Sequence, residues 1–180
     1  MLPLTPGFLV AAANAFVGLT EEGGDNHGQM VELFLREVEQ PAGQPWCAAF
    51  VHHVGYWSHY DNRAKRSSWP LPATASCEEL ALFAGPLDLL KKDAREGDVF
   101  LVFSPSLKRY AHTGIVVSVD ATYPIPDKHF VHVCTTIEGN TNSDGSSNGT
   151  TTLRKTRHFN TVVGDRFIRW AEIGYKAEAA

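Results

Sequence analysis

Residues 97–140 read GDVFLVFSPSLKRYAHTGIVVSVDATYPIPDKHFVHVCTTIEGN, and their pattern decides the fold class. GDVFLVF and HTGIVVSV are β-branched and aromatic runs joined by SPSLKRYA, the signature of an antiparallel strand pair. HFVHVCTTIEGN is a third strand, with ATYPIPDKH a long connection for a plain hairpin. Farther on, NTNSDGSSNG has the Asn, Asp, Ser and Gly content of turns, and TTTLRKTRHF and GDRFIRW supply two more strand candidates.

Toward the N-terminus the periodicity changes to that of helices. In GQPWCAAFVHHVGYW, residues 43–57, Trp46, Phe50, Val54 and Trp57 recur at three- and four-residue intervals, with Pro45 near the first turn. Before it, Met30, Val31, Phe34 and Val38 mark a second helix that Pro41 stops, and Thr5-Pro6 caps an opening helix carrying Phe8, Leu9, Phe16 and Val17. After the polar loop HYDNRAKRSSWPLPAT, Ser76 and Glu79 form a capping box for a short helix ending near Gly85. Helices first and strands second predict an α+β fold, with N-terminal helices packed on a C-terminal antiparallel β-sheet. The 180 residues are the size of one domain, 1–180, and show no internal repeat or linker.

Composition narrows the function classes. With 43% hydrophobic and 20% charged residues the chain can build a core. Its net charge of -4 and lack of a basic run speak against nucleic-acid partners. No apolar run approaches the roughly 20 residues that cross a bilayer, and MLPLTPGFLVAAANAF lacks the positive start of a signal peptide. The protein is therefore expected to be made in the cytoplasm. Three scattered cysteines, Cys47, Cys77 and Cys134, do not form a disulfide framework, so at least one thiol is free.

Cys47 begins a helix, where the exposed N–H groups and helix dipole favour a thiolate. His52 and His53 are five and six positions on, and helical geometry turns them to other faces. His112, at the start of HTGIVVSV, is the better base. Glu138 ends HFVHVCTTIE and comes beside His112 if the two strands are antiparallel neighbours; Asn140 projects on the same side if the strand stays extended. A nucleophile, a base and an orienting acceptor activate a weak nucleophile for acyl transfer, so a helix cysteine with a sheet histidine makes a papain-like site.

PWCAAFV, GDVFLVF…AHTGIVV and IEGNT, in this order, resemble the CHAP family of cysteine- and histidine-dependent amidohydrolases/peptidases, a papain-like group of bacteriophage endolysins and bacterial wall hydrolases. The resemblance spans roughly residues 5–170. It implies Cys47 as nucleophile, His112 as general base, Glu138 orienting the imidazole, and Asn140 assisting the histidine or the oxyanion. It also implies cleavage of peptidoglycan amides, at the muramoyl-L-alanine bond or within stem or cross-bridge peptides. Release through a phage lysis system or dedicated secretion, and an immunity, inhibitor or lysis-delivery partner, fit the same resemblance. The calcium loop of some members is not expected, since GGDNHG offers only Asp25, and neither is a cofactor. A separate wall-binding module is likewise not expected within residues 1–180.

Other assignments stay open at this point. Gln44 and the Cys47 amide are candidate oxyanion donors, and Trp46 could wall the cleft. Trp69 is a candidate substrate contact. His129, His132, Cys134 and Cys77 lack the paired spacing of a zinc site, and Asp144 lacks the ordered carboxylates of a calcium loop. A catalytically silent wall- or glycan-binding module, or an amidase or transpeptidase acting on another peptide conjugate, are the alternative functions.

Overall fold

A computed structural model describes residues 5–143 and 149–173. Pro6, whose ring presets a helical φ, opens α1 (Pro6–Asn14). Thr5 precedes it in an extended conformation but makes no side-chain cap. Leu9 and Ala13 of α1 are buried, whereas Phe8 and Val17, expected on the apolar face, are exposed. Phe16, just past the helix, packs edge-on against Phe34 of α2 (Gln29–Glu37) and Phe50 of α3 (Cys47–Ser58), at 5.8 and 6.0 Å between ring centres.

The helix α3 runs through the core with Phe50, Val51 and Val54 buried, while Trp57 is 51% exposed. Gly55 lets Trp69 lie against this helix: a Cβ there would come within 2.2 Å of the indole. Trp69 packs at a tilt against Trp170, 4.7 Å between ring centres, so the polar loop expected around it carries a core residue rather than a surface contact. That loop also forms a small hairpin, β1 (Tyr60–Asp61) and β2 (Arg66–Ser67). At α4 (Cys77–Ala84), Ser76 Oγ accepts the Glu79 N–H at 3.2 Å. The Glu79 carboxylate accepts from the Thr74 hydroxyl, so one half of the expected capping box forms.

The remaining strands are β3 (Leu90–Lys91), β4 (Val99–Ser104), β5 (Arg109–Ile125), β6 (His129–Thr141), β7 (Thr151–Asn160) and β8 (Arg166–Ile168). They form one antiparallel sheet in the order β3-β8-β4-β5-β6-β7. The expected strand GDRFIRW is short: β8 inserts between β3 and β4, and Trp170–Glu172 turns into a single 3-10 turn. ATYPIPDKH is not a long connection. ATYPI extends β5, and Asp127 and Lys128, with φ of 62° and 57°, make a tight turn closed by the His129 N–H on the Pro126 carbonyl at 3.4 Å. Two successive left-handed residues match the twist of the flanking strands. Ile115 therefore pairs with Ile137, and the start of β5 lies beside the end of β6.

Alternation along the strands sends side chains to two faces. Val99, Leu101, Ile115, Ile137 and Ile168 join the helical core, whereas Phe100, Val116, Cys134, Phe159 and Phe167 form a smaller second cluster. No described helix is long and apolar enough to cross a membrane.

Candidate active site

Cys47 is the first residue of α3, with Trp46 at its N-cap. N–H groups in that first turn have no acceptor within the helix and carry the positive end of its dipole. Several contacts hold the helix start in place. Trp46 is fully buried and donates its indole N–H to Glu21 Oε1 at 2.8 Å. The backbone of β6 lies directly on this turn, since a Cβ on Gly139 would come 2.6 Å from Trp46 Cζ3 and 2.8 Å from Phe50 Cβ.

His112 stands in β5, and its Nε2 lies 2.9 Å from Glu138 Oε2. Nδ1 is the ring nitrogen that Glu138 does not engage, and the interaction between His112 and Cys47 lowers the thiol and raises the imidazole. Glu138 is fully buried and strongly held. Arg157 of β7 grips it with Nε on Oε1 at 2.7 Å and Nη2 on Oε2 at 2.5 Å. Thr136 donates to Oε1 at 2.7 Å and Thr141 to Oε2 at 3.3 Å. The Phe100 ring packs against both ends of this row, 6.0 Å from the His112 ring and 5.6 Å from Arg157 Cζ. Cys47, His112 and Glu138 thus form one row from a helix start to the sheet interior, in which His112 is hydrogen-bonded to Glu138 and interacts with Cys47.

Compared with protein-family models, curated proteins and solved structures, the chain matches none.

Electrostatics follow from these contacts. A hydrogen bond from Cys77, whose Sγ is 3.7 Å away, holds the Cys47 thiol well below its usual range. Burial opposes this, while the hydrogen bond and charge of His112 and the Thr113 backbone N–H reinforce it. For His112, burial works against the charged form, but hydrogen bonds to Cys47 and Glu138, and their charges, raise its pKa to about 9. Burial pushes Glu138 up, yet hydrogen bonds from His112 and Arg157 and their charges outweigh it and hold the carboxyl well below the usual carboxylate range. These shifts favour the thiolate of Cys47 and the imidazolium of His112 over the neutral pair.

A cavity of ≈ 530 Å³ opens over the sulfur, lined among others by Gln44, Cys47, Thr74, Cys77, Glu79 and Arg109. Gln44 is exposed at its wall. Trp46 lies under the site, not in its wall, because the indole fills the core between Phe34 and Phe50. Asn140 is also placed differently from the expectation. The pairing of β6 with β7 shifts register between Glu138 and Thr141, and Asn140 adopts a left-handed φ of 53°, so the extended course ends there. With its amide oriented to satisfy both groups, Asn140 accepts the Trp46 N–H at 3.1 Å and donates to the Gly149 carbonyl at 2.5 Å. It ties the start of α3 to the sheet instead of reaching His112.

His53 is buried and bonded through Nδ1 to Glu37 Oε2 at 2.7 Å, away from Cys47. His52 lines a second cavity of ≈ 420 Å³ with Glu37, Tyr56, Trp57 and Ala73. His132 engages Thr122 and the Lys92 carbonyl, both at 2.9 Å, and burial pushes the Cys134 thiol up to about 12. Among the described residues no group of three His, Cys, Asp or Glu side chains is placed to hold a metal. Asp144 lies outside the described residues.

Three contributors to the candidate site were missed from the sequence. Cys77 matches Cys47 in being the first residue of a helix, a parallel visible in the string once Ser76 is read as a cap. Arg157 falls between Lys155 and Phe159 on the less exposed side of β7, where alternation marks it as an inward cation needing an anion. Thr113 contributes a backbone N–H, which no side-chain pattern announces.

Proposed function

We propose that the protein is a papain-like cysteine hydrolase that cleaves amide bonds of peptidoglycan, at the muramoyl-L-alanine bond or within the peptides. The observation that carries the reaction class is the line Cys47, His112, Glu138, set at a helix N-terminus and opening on a cavity. The substrate class is supported by the resemblance of PWCAAFV, AHTGIVV and IEGNT to the CHAP family. Action at the bacterial wall, after phage-type release or dedicated secretion, belongs to the same proposal.

In this reaction the Cys47 thiolate attacks the amide carbonyl, and the oxygen gains negative charge. In this reading the Cys47 N–H at the helix start and Gln44 from the cavity wall act as its donors, supported by their positions at the helix start and in the cavity lining. The His112 imidazolium gives its proton to the leaving amine, which departs and leaves a thioester on Cys47. Neutral His112 then takes a proton from water, which attacks the thioester and releases a carboxylic acid and the thiolate. Glu138 keeps the ring oriented and stabilises its charge, a role in which the carboxylate itself stays ionised.

Purified peptidoglycan digested with the wild-type protein or Cys47→Ser, and analysed by mass spectrometry, tests the proposal. New amine and carboxyl termini with the wild type alone are expected, and their position identifies the bond. Binding without any new terminus overturns the hydrolase in favour of a silent wall-binding module. Absence of both binding and cleavage removes peptidoglycan as the substrate.

A further inference from the structure

The second cysteine at the site has no role in the reaction above beyond its hydrogen bond. Cys77 Sγ lies 3.7 Å from Cys47 Sγ, both thiols are free, and both residues begin helices that start at the same cavity. A disulfide has its sulfurs about 2.05 Å apart, so the pair must close by roughly 1.7 Å. Both side chains are nearly buried, at 4% and 5% exposure, but the cavity gives a small oxidant access to the sulfurs. Cys134 belongs to the cluster on the other face of the sheet and is absent from this cavity wall.

We propose that Cys47 and Cys77 form an oxidation site at which a peroxide converts the nucleophile reversibly into a disulfide, with Cys77 as the resolving thiol. The Cys47 thiolate attacks a peroxide oxygen, the O–O bond breaks, and Cys47 becomes a sulfenic acid while hydroxide leaves and is protonated to water. Cys77 sulfur then attacks the sulfenic sulfur. The S–S bond forms, the S–O bond breaks, and the oxygen leaves as a second water carrying its own hydroxyl proton and the thiol proton of Cys77. The two thiols supply two electrons and the peroxide accepts them. A dithiol such as dithiothreitol reverses the change by exchange.

The consequence rests on Cys47 being the nucleophile of the proposed hydrolase: the oxidised protein has no thiolate and no activity. Formation of the bond itself needs only the geometry. Cys77 also shields Cys47 from the irreversible sulfinic acid, because the sulfenic acid meets a thiol at once.

The test exposes the full chain to hydrogen peroxide, blocks remaining thiols with iodoacetamide and maps peptides by mass spectrometry. An intramolecular peptide pair joining Cys47 to Cys77 is expected, with loss of Cys47 alkylation that dithiothreitol restores. Cys134→Ser should give the same pair. In Cys77→Ser, peroxide should carry Cys47 to sulfinic acid, and dithiothreitol should no longer restore alkylation. Sulfinic acid at Cys47 without a cross-link in the native chain, or a cross-link through Cys134, overturns the proposal. Because the bond is read by mass, a protein that cross-links but cuts no peptidoglycan refutes the hydrolase alone. One that cuts peptidoglycan but does not cross-link refutes the oxidation site alone.

Discussion

Arg157→Met tests what keeps Glu138 charged. The carboxylate is fully buried and receives two Arg157 bonds, at 2.7 and 2.5 Å, beside those from Thr136 and His112. Removing one partner of a buried ion pair costs roughly 3–5 kcal/mol. The Arg157 side chain is 25% exposed, and Thr136 and His112 remain, which puts the expected loss at the lower end, about 3 kcal/mol. For a chain of this size that is a fall of roughly 6–12 °C in Tm. The effect on the site is separate. Without Arg157 the Glu138 pKa rises but the carboxylate keeps its bond to His112, and its charge, no longer shared with a guanidinium, is left to the imidazolium, so His112 should rise from about 9. Thermal unfolding measures the first effect and the pH dependence of Cys47 alkylation the second, with Arg157→Lys retaining charge but not the two-point grip. An Arg157→Met protein with wild-type Tm and an unchanged alkylation profile would refute the reasoning.

Asn140→Ala removes the acceptor for the Trp46 N–H and places a residue less tolerant of the left-handed region at φ 53°. A stability loss of about 1–2 kcal/mol is expected in denaturant unfolding, with lower turnover but an unshifted pH profile; a shift of the His112 limb would instead assign Asn140 to the imidazole. Gly139→Ala drives a methyl into Trp46 and Phe50 and moves the helix start away from the sheet. It should cost roughly 1–3 kcal/mol and reduce Cys47 reactivity, and a fully active, equally stable variant would contradict the packing. His52→Ala should leave the alkylation rate of Cys47 unchanged, since His52 faces the other cavity; a tenfold slower rate would make that histidine part of the site.

The layers of the fold were legible because each element carried its own period: the apolar spacing of α2 and α3, and the β-branched runs of β4 to β6. The hairpin connection was misjudged because Pro124 and Pro126 in ATYPIPDKH hide a strand end, while the left-handed Asp127 and Lys128 leave no glycine to mark the turn. Trp69 looked like a surface residue among prolines, and only the missing side chain at Gly55 makes room for it on α3. At the site, Cys47, His112 and Glu138 come together because β5 and β6 are direct neighbours. Asn140 departs because alternation holds only while a strand stays extended, and the irregularity after Glu138 ends it. Arg157 and Cys77 depend on contacts between elements, β7 with β6 and α4 with α3, that local periodicity does not encode.

The most direct measurement is the rate of Cys47 alkylation by iodoacetamide as a function of pH, set beside the rate of amide hydrolysis. The contacts of Cys47 with Cys77, His112 and Thr113 predict a thiolate whose alkylation midpoint lies well below the value near 8.5 of a free cysteine. The proposed hydrolysis would need the imidazolium as well as the thiolate, so it should be present from the thiolate midpoint upward and be lost as pH rises through about 9, where His112 gives up its proton. A single alkylation midpoint near 8.5, with no inflection that His112→Ala removes, would contradict the thiolate–imidazolium pair at Cys47.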